Sequence, residues 1–384
     1  MFIKDLITDF TKERPINRVF GSQEYDNAAE KLHHIWESMG LRTWIDSVGN
    51  VHGIYQMGSN KEVIIGSHLD TVRNGGMFDG LLGIAAATEC IRCFQENHTA
   101  LEYNIHIIAT NGEEGNELGG TFGSRCLVGE IDETEEFLEK ARHYGISSQD
   151  IRNAKMDFSN AVCYLELHIE QGNHLYRNGN DIGIVTGIVG LQRHEITVMG
   201  TTNHSGTTLM EYRDDATVKA ADIILYGDTR ARQYPDSLVS TFGRLEAKPN
   251  VLAVINGEVK MVLECRSQSE TTMDRYMDDI RQYCRDKYGD AVSIREMVKK
   301  SPAMCQPDII QMTEEVCKRE NIKYVCMPSG ATHDGNYYIH KIPIGMIFVP
   351  SKEGISHSDR EWTEWEDCGR GQKVLCELLQ NIKM

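Results

Sequence analysis

Four stretches of this chain share one pattern: a short, continuous apolar run rich in β-branched residues that stops abruptly at His, Asp or Glu. VIIGSHLD stops at His68 and Asp70, and NIHIIATNGEE at Glu113 and Glu114. AVCYLELHIEQG ends in Glu166, His168 and Glu170, and PIGMIFVPSKEGISH reaches His357 after a loop. Unbroken apolar runs of this length suit strands buried on both faces, and such strands need helices above and below the sheet. LLGIAAATECIRCFQEN and PDIIQMTEEVCKRE read as those helices. An α/β sheet of this kind binds ligands beyond the carboxyl ends of its strands. The layout therefore predicts a polar site at that edge, built from groups of metal-ligand type.

Residues 191–300 carry a different rhythm. LQRHEITVMG, LVSTFGRLEA, VLAVINGEVKMVLECRS and AVSIREMVKK alternate in the manner of half-exposed strands. DDATVKAADIILYGDTRA and SETTMDRYMDDIRQYCRDKYG lie between them as helices. Four strands and two helices in that order suit a ferredoxin-like unit. The expected organisation is a catalytic domain in two parts, 1–190 and 301–384, with an inserted α+β domain at 191–300. Further upstream, PINRVFGSQEYDNAAEKLHHIWESMG is expected to be helical, with Gly40 at its C-terminal end.

Charge and cysteine usage narrow the partners. Forty Lys and Arg against 57 Asp and Glu give a formal charge of −17, the wrong sign for a nucleic-acid or anionic-membrane surface. A small anionic substrate stays compatible, since one arginine can bind a carboxylate whatever the global sign. No apolar run approaches the roughly 20 residues needed to span a bilayer, and the opening MFIKDLITDFTKERP lacks a secretory h-region. Eleven scattered cysteines read as reduced thiols and hence a cytoplasmic protein. Cys90 and Cys93 form the one C-x-x-C pair, inside an expected helix and with no second pair at zinc spacing.

Two to three imidazoles with carboxylates and no thiol pairs suit a borderline dication such as Zn²⁺, Mn²⁺ or Co²⁺. The motifs HLDTV with GGMFDG, NGEEG, GGTFGSR, ELHIEQG, NHSGTT, SGATHDG and MIFVPSKEGISH follow one another along the chain. In that order they resemble the hydantoinase/carbamoylase branch of the di-zinc aminoacylase–carboxypeptidase superfamily. The resemblance implies an α/β di-metal exopeptidase-like catalytic domain with an inserted ferredoxin-like lid or dimerisation domain. It also implies two divalent cations per subunit. His68 and His168 would hold one, Glu114 and His357 the other, and Asp79 would bridge them.

By the same resemblance Glu113 is the general base, and Asp70 orients the His68 imidazole as its hydrogen-bond partner. His204 completes the active site of a neighbouring subunit in a homodimer by stabilising the oxyanion. Arg266 receives the substrate carboxylate, with Gln192 and Gly330 as further substrate contacts. The chain departs from the family pattern at Ala253 and Asn256, where Asn and Pro are usual, and at Thr332, where Gly is usual. The implied reaction is hydrolysis of an N-carbamoyl-L-amino acid or related ureido acid to amino acid, CO₂ and ammonia. Allantoate amidohydrolysis is the alternative within the branch, and a catalytically silent binding paralogue the alternative outside enzymes.

Overall fold

A computed structural model describes residues 2–234 and 238–383. The chain divides into two compact units, Met1–Ile188 with Met304–Met384, and Val189–Ala303. In chain order the strands are β1 (Arg42–Ile45), β2 (Val51–Tyr55), β3 (Glu62–His68), β4 (Asn104–Thr110), β5 (Ala161–Ile169) and β6 (Ile182–Ile188). The second unit holds β7 (Gly190–Met199), β8 (Asn203–His204), β9 (Val239–Lys248), β10 (Val254–Ile255), β11 (Glu258–Ser267) and β12 (Val292–Lys300). The chain returns through β13 (Ala303–Met304) to β14 (Tyr324–Ser329) and β15 (Ile344–Val349).

In the first unit the strand order runs β1-β2-β4-β3-β5-β15-β6, with β14 also paired to β6. The central strands β4, β3, β5 and β15 are mutually parallel. They are buried along nearly their whole length, as their unbroken apolar composition requires. Registers align their carboxyl ends: His68 lies opposite Thr110, and Phe348 opposite His168. Helix Leu81–Glu96 covers one face together with Phe2–Phe10 and Trp365–Asn381. A smaller core of Phe20, Val48, Phe122, Cys126 and Ile151 packs around the short helices Phe122–Val128, Glu135–His143 and Ser148–Asn153.

The helix expected across PINRVFGSQEYDNAAEKLHHIWESMG begins later than the sequence reading placed it. It spans Gln23–Ser38, because Ser22 caps it by accepting the Tyr25 N–H. Gly40 follows with φ 80°, the left-handed conformation that ends a helix at low cost. Cys90 and Cys93 lie on Leu81–Glu96 as free thiols.

The second unit is an antiparallel sheet of order β12-β7-β11-β9 with helices Ala216–Ala231 and Glu270–Tyr288 packed on it. Numbered within the unit this is 4-1-3-2, the ferredoxin-like order. β11 alternates strictly between buried and half-buried positions, so one face supplies the core of Val259, Met261, Leu263 and Cys265.

Gly83 brings helix Leu81–Glu96 against the sheet: a Cβ there would stand 2.4 Å from the Leu167 carbonyl oxygen and 2.7 Å from the Ser67 Cβ. The obstacle is backbone, so the helix itself must move to admit a methyl group. Gly83→Ala is expected to cost about 1–3 kcal/mol, read as a lower denaturation midpoint with an unchanged denaturant slope.

Candidate metal centre

Five side chains from five segments meet at the carboxyl edge of the central strands. His68 is the last residue of β3, and Asp79 sits just before helix Leu81–Glu96. Glu114 lies in the turn beyond β4, His168 is on β5, and His357 is in the loop after β15. His68 Nε2 and His168 Nε2 stand 3.3 and 3.2 Å from Asp79 Oδ1, and 3.4 Å from each other. On the other side, His357 Nε2 is 3.0 Å from Asp79 Oδ2 and 3.3 Å from Glu114 Oε1. Asp79 therefore belongs to both of two ligand-type clusters, one with His68 and His168 and one with Glu114 and His357.

The tautomers show what these clusters fit. His68 Nδ1 lies 3.0 Å from the Asp70 main-chain oxygen, and His168 Nδ1 lies 2.9 Å from that of Ile169. A carbonyl can only accept, so each neutral ring carries its proton on Nδ1 and turns a bare Nε2 lone pair inward. Gly80 N–H also points at His168 Nε2, which identifies that nitrogen as the acceptor. Two lone pairs thus face Asp79 Oδ1, a buried oxygen with no hydrogen-bond partner among the described residues. Three electron-rich atoms 3.2–3.4 Å apart match the edge of a tetrahedron, about 3.3 Å for bonds of about 2.0–2.1 Å. The residues present fit a dication, and the N/O donor set without sulfur suits Zn²⁺, Mn²⁺ or Co²⁺.

Electrostatics point the same way. Burial alone would lower the His68 pKa, but the adjoining Asp79 carboxylate and the charges of Glu113 and Asp70 outweigh it and push it well up. His357 is raised to about 9, chiefly by its hydrogen bond to Asp79. Against burial, the three imidazoles hold Asp79 well below the usual carboxylate range. Clustered carboxylates largely shielded from water call for positive charge, and a metal ion supplies it more compactly than protons do.

Asp70 departs from its expected role. Its carboxylate is 3.8 Å from His68 Nδ1, and the main-chain oxygen takes that bond instead. The two carboxylate oxygens receive the N–H groups of Glu113 and Glu114, each at 3.1 Å. Asp70 thus shapes the turn that presents both glutamates, because two fixed main-chain donors hold its oxygens away from the imidazole. Glu113 Oε2 reaches to within 3.9 Å of His68 Nε2. Burial first, then neighbouring carboxylates, keep the Glu113 pKa well up despite the pull of His68. Glu114 is likewise pushed up to about 7, mainly by burial.

Gln171 was not singled out from the sequence, yet its Nε2 donates to Asp79 Oδ2 at 3.0 Å and lies 3.3 Å from His357 Nε2. Its position three residues after His168 in ELHIEQG was the available signal. His333, in SGATHDG, is also buried, with its ring 4.7 Å from that of His168 and its Nε2 3.0 Å from Ser329 Oγ. Gly330 follows β14 at an exposed position of the same unit.

Gln192, His204 and Arg266 belong to the second unit. Gln192 is 1% exposed, donates to Asp274 Oδ1 at 2.7 Å and lies 3.2 Å from His194 Nε2. Its amide is thereby already engaged inside the unit, whereas a substrate contact was expected of it. Arg266 Nε donates to Glu264 Oε1 at 2.8 Å. His204 is exposed, and its Nδ1 accepts the N–H groups of Gly206 and Thr207 at 3.0 and 3.2 Å.

With this geometry in view, the similarities to known proteins become specific. The model of peptidase family M20/M25/M40 matches residues 64–381. An N-carbamoyl-L-amino acid amidohydrolase of Geobacillus stearothermophilus is 32% identical, the match covering 96% of this chain and 93% of that one. An allantoate amidohydrolase of Escherichia coli is 31% identical with the same coverage of each. Among solved structures, an amidase of the hydantoinase/carbamoylase family from Burkholderia phymatum superposes with a TM-score of 0.86 at 27% identity, over 98% of this chain and 94% of that one. The chain belongs to peptidase family M20/M25/M40 and is a metal-dependent hydrolase of carbon–nitrogen bonds. Among the described residues no helix is long and apolar enough to cross a membrane.

Because Asp79 serves both clusters, single ligand losses separate them. Elemental analysis after dialysis is expected to find His357→Ala short of one cation with the His68 side occupied, and Asp79→Ala depleted at both.

Proposed function

We propose that the protein hydrolyses the ureido group of an N-carbamoyl-L-amino acid or a related ureido acid, using two divalent cations per subunit. The observation that carries this reading is the sharing of Asp79 between two ligand clusters with Glu113 beside them. Zn²⁺ is the first choice of metal, with Mn²⁺ and Co²⁺ compatible with the same donors. When bound, the cations supply Lewis acidity that polarises the attacking water and the ureido carbonyl.

Glu113 takes the proton from that water and hands it to the departing nitrogen. A carboxyl held up by burial is suited to carry a proton between the two. The C–N bond to the amino acid breaks, the amino acid leaves, and the carbamate decomposes to CO₂ and ammonia. Gln171 Oε1 is buried without a hydrogen-bond partner, and ureido N–H groups are the donors that would satisfy it. Arg266 is assigned to the substrate carboxylate, with Glu264 restraining its Nε side. Gly330 is kept as a main-chain contact.

The second unit is assigned to dimerisation. It exposes Met210, Tyr212 and Leu252, the last 97% accessible, which is the apolar surface that a second copy would cover. Two main-chain N–H groups on His204 Nδ1 put the ring proton on Nε2. That N–H is the donor we assign to the oxyanion in the neighbouring subunit of a homodimer. The eleven free thiols suit a reducing compartment, and the cytoplasm is the proposed location.

An E. coli relative named for allantoate supports a second substrate, itself a ureido acid. Ammonia release by metal-loaded protein from a panel of N-carbamoyl-L-amino acids, allantoate and dipeptides tests the reading. Turnover confined to ureido compounds is expected, and lost with a chelator; turnover of dipeptides alone would overturn it. On the substrate so found, Glu113→Gln is expected to lower kcat about 10²–10⁴-fold with full metal content.

His204→Ala is expected to remain dimeric and to lose about 10²–10³-fold in kcat, with size-exclusion chromatography run beside the assay. An unchanged rate would remove the cross-subunit donor.

A further inference from the structure

We infer that Glu361 is a positioning residue for Asp79: it holds the main chain and, through Ser356, the side chain of the carboxylate shared by the two clusters. The inference rests on the proposed reading of Asp79 as a ligand to both cations. Glu361 is 3% exposed and lies four residues after His357, so one loop carries both a ligand and this clamp. Its Oε1 accepts the N–H of Phe78 at 2.8 Å and that of Asp79 at 3.1 Å. Its Oε2 accepts the Ser356 hydroxyl at 2.8 Å, and that hydroxyl oxygen is 3.2 Å from Asp79 Oδ2. The single Ser356 proton is shared between the two carboxylates, so Glu361 holds the main chain of Asp79 directly and its side chain only through this shared hydroxyl.

Two further features show that the site is built around this carboxylate. A Cβ on Gly76 would fall 2.0 Å from the Glu361 Cδ, so GGMFDG leaves room for the carboxylate where any side chain would displace it. The next residues reinforce the tie, since Phe78 meets Trp362 edge-on at 5.5 Å and Trp365 at 5.2 Å. No Lys or Arg forms an ion pair with Glu361 among the described residues. Burying a charge to satisfy two amides and a hydroxyl is costly when a neutral amide oxygen could accept the same bonds. The charge has a use beside a pair of cations. It raises the donor strength of the groups bound to them and adds to the field that holds them, as outer partners of metal ligands do.

The test measures cations rather than turnover. Full-length wild type, Glu361→Gln and Ser356→Ala are stripped of metal and titrated with Co²⁺ against a chromophoric chelator, with the visible Co²⁺ spectrum and the melting temperature of the metal-free protein recorded. Glu361→Gln keeps the size and one acceptor oxygen, so its metal-free melting temperature should stay close to wild type. Its apparent Co²⁺ dissociation constant should rise about 10–100-fold, with an altered spectrum. Ser356→Ala should shift both in the same direction by less. Wild-type affinity and spectrum in Glu361→Gln would overturn the inference. So would an affinity loss matched by a fall in metal-free stability with Ser356→Ala unaffected, since that pattern marks a purely structural residue. Wild-type protein saturating at one Co²⁺ would instead overturn the shared-ligand reading of Asp79, and this role with it.

Discussion

The Asp79 carboxylate faces His68 and His168 through one oxygen and His357 through the other, and the first unit is arranged to keep it there. β3 and β5 run parallel and adjacent, so His68 and His168 reach the same edge from neighbouring strands. Gly83 seats helix Leu81–Glu96 on those strands, which brings the residue before its first turn against both imidazoles. Main-chain carbonyls then choose the tautomers, so the neutral rings turn their Nε2 lone pairs inward. A cluster of that kind is electrostatically unfavourable until positive charge enters it.

The carboxylates around the centre divide their work by the donors they meet. Asp70 accepts two N–H groups, Glu361 accepts two N–H groups and a hydroxyl, and both are spent on holding other residues. Glu113 accepts no such bond among the described residues, and burial keeps its proton affinity high. What separates the acids that hold other residues from Glu113, for which proton transfer is proposed, is the supply of local donors, not the residue type.

In the second unit, Ala253 and Asn256, which depart from the family pattern, lie in one loop. Ala253 has φ 60°, a left-handed conformation that Asn adopts more readily than Ala. The loop is held by Asn256, whose Oδ1 accepts the Asn250 N–H at 2.9 Å and whose Nδ2 donates to Thr217 at 2.9 Å. The Ala253 carbonyl in turn accepts the Ser205 N–H at 2.9 Å, next to His204. The loop is thus held by hydrogen bonds from its neighbours and not by the side chain at position 253.

The apolar runs were legible because burial on both faces of a parallel strand leaves no room for alternation, and those runs marked the polar edge, while the expected ligand set, Asp79 above all, came from the family resemblance. The alternation of 191–300 declared a half-exposed sheet for the same kind of reason. Gln171 and His333 were harder to see: each lies beside a recognised residue, and nothing in local spacing says which polar side chain turns inward. Gln192 shows the converse, a polar residue near a motif whose amide is consumed by Asp274 and His194. The sequence by itself determined the strand-and-helix alternation, the ligand types and the family, since these depend on side-chain chemistry and short-range periodicity. Only the tertiary structure decided that the main chain of Asp70 orients His68, that its carboxylate shapes the glutamate turn, and that Glu361 reaches Asp79 across 282 residues. The first is a choice between two oxygens of one neighbouring residue and the others join segments distant in the chain, and no local pattern encodes which donor meets which acceptor.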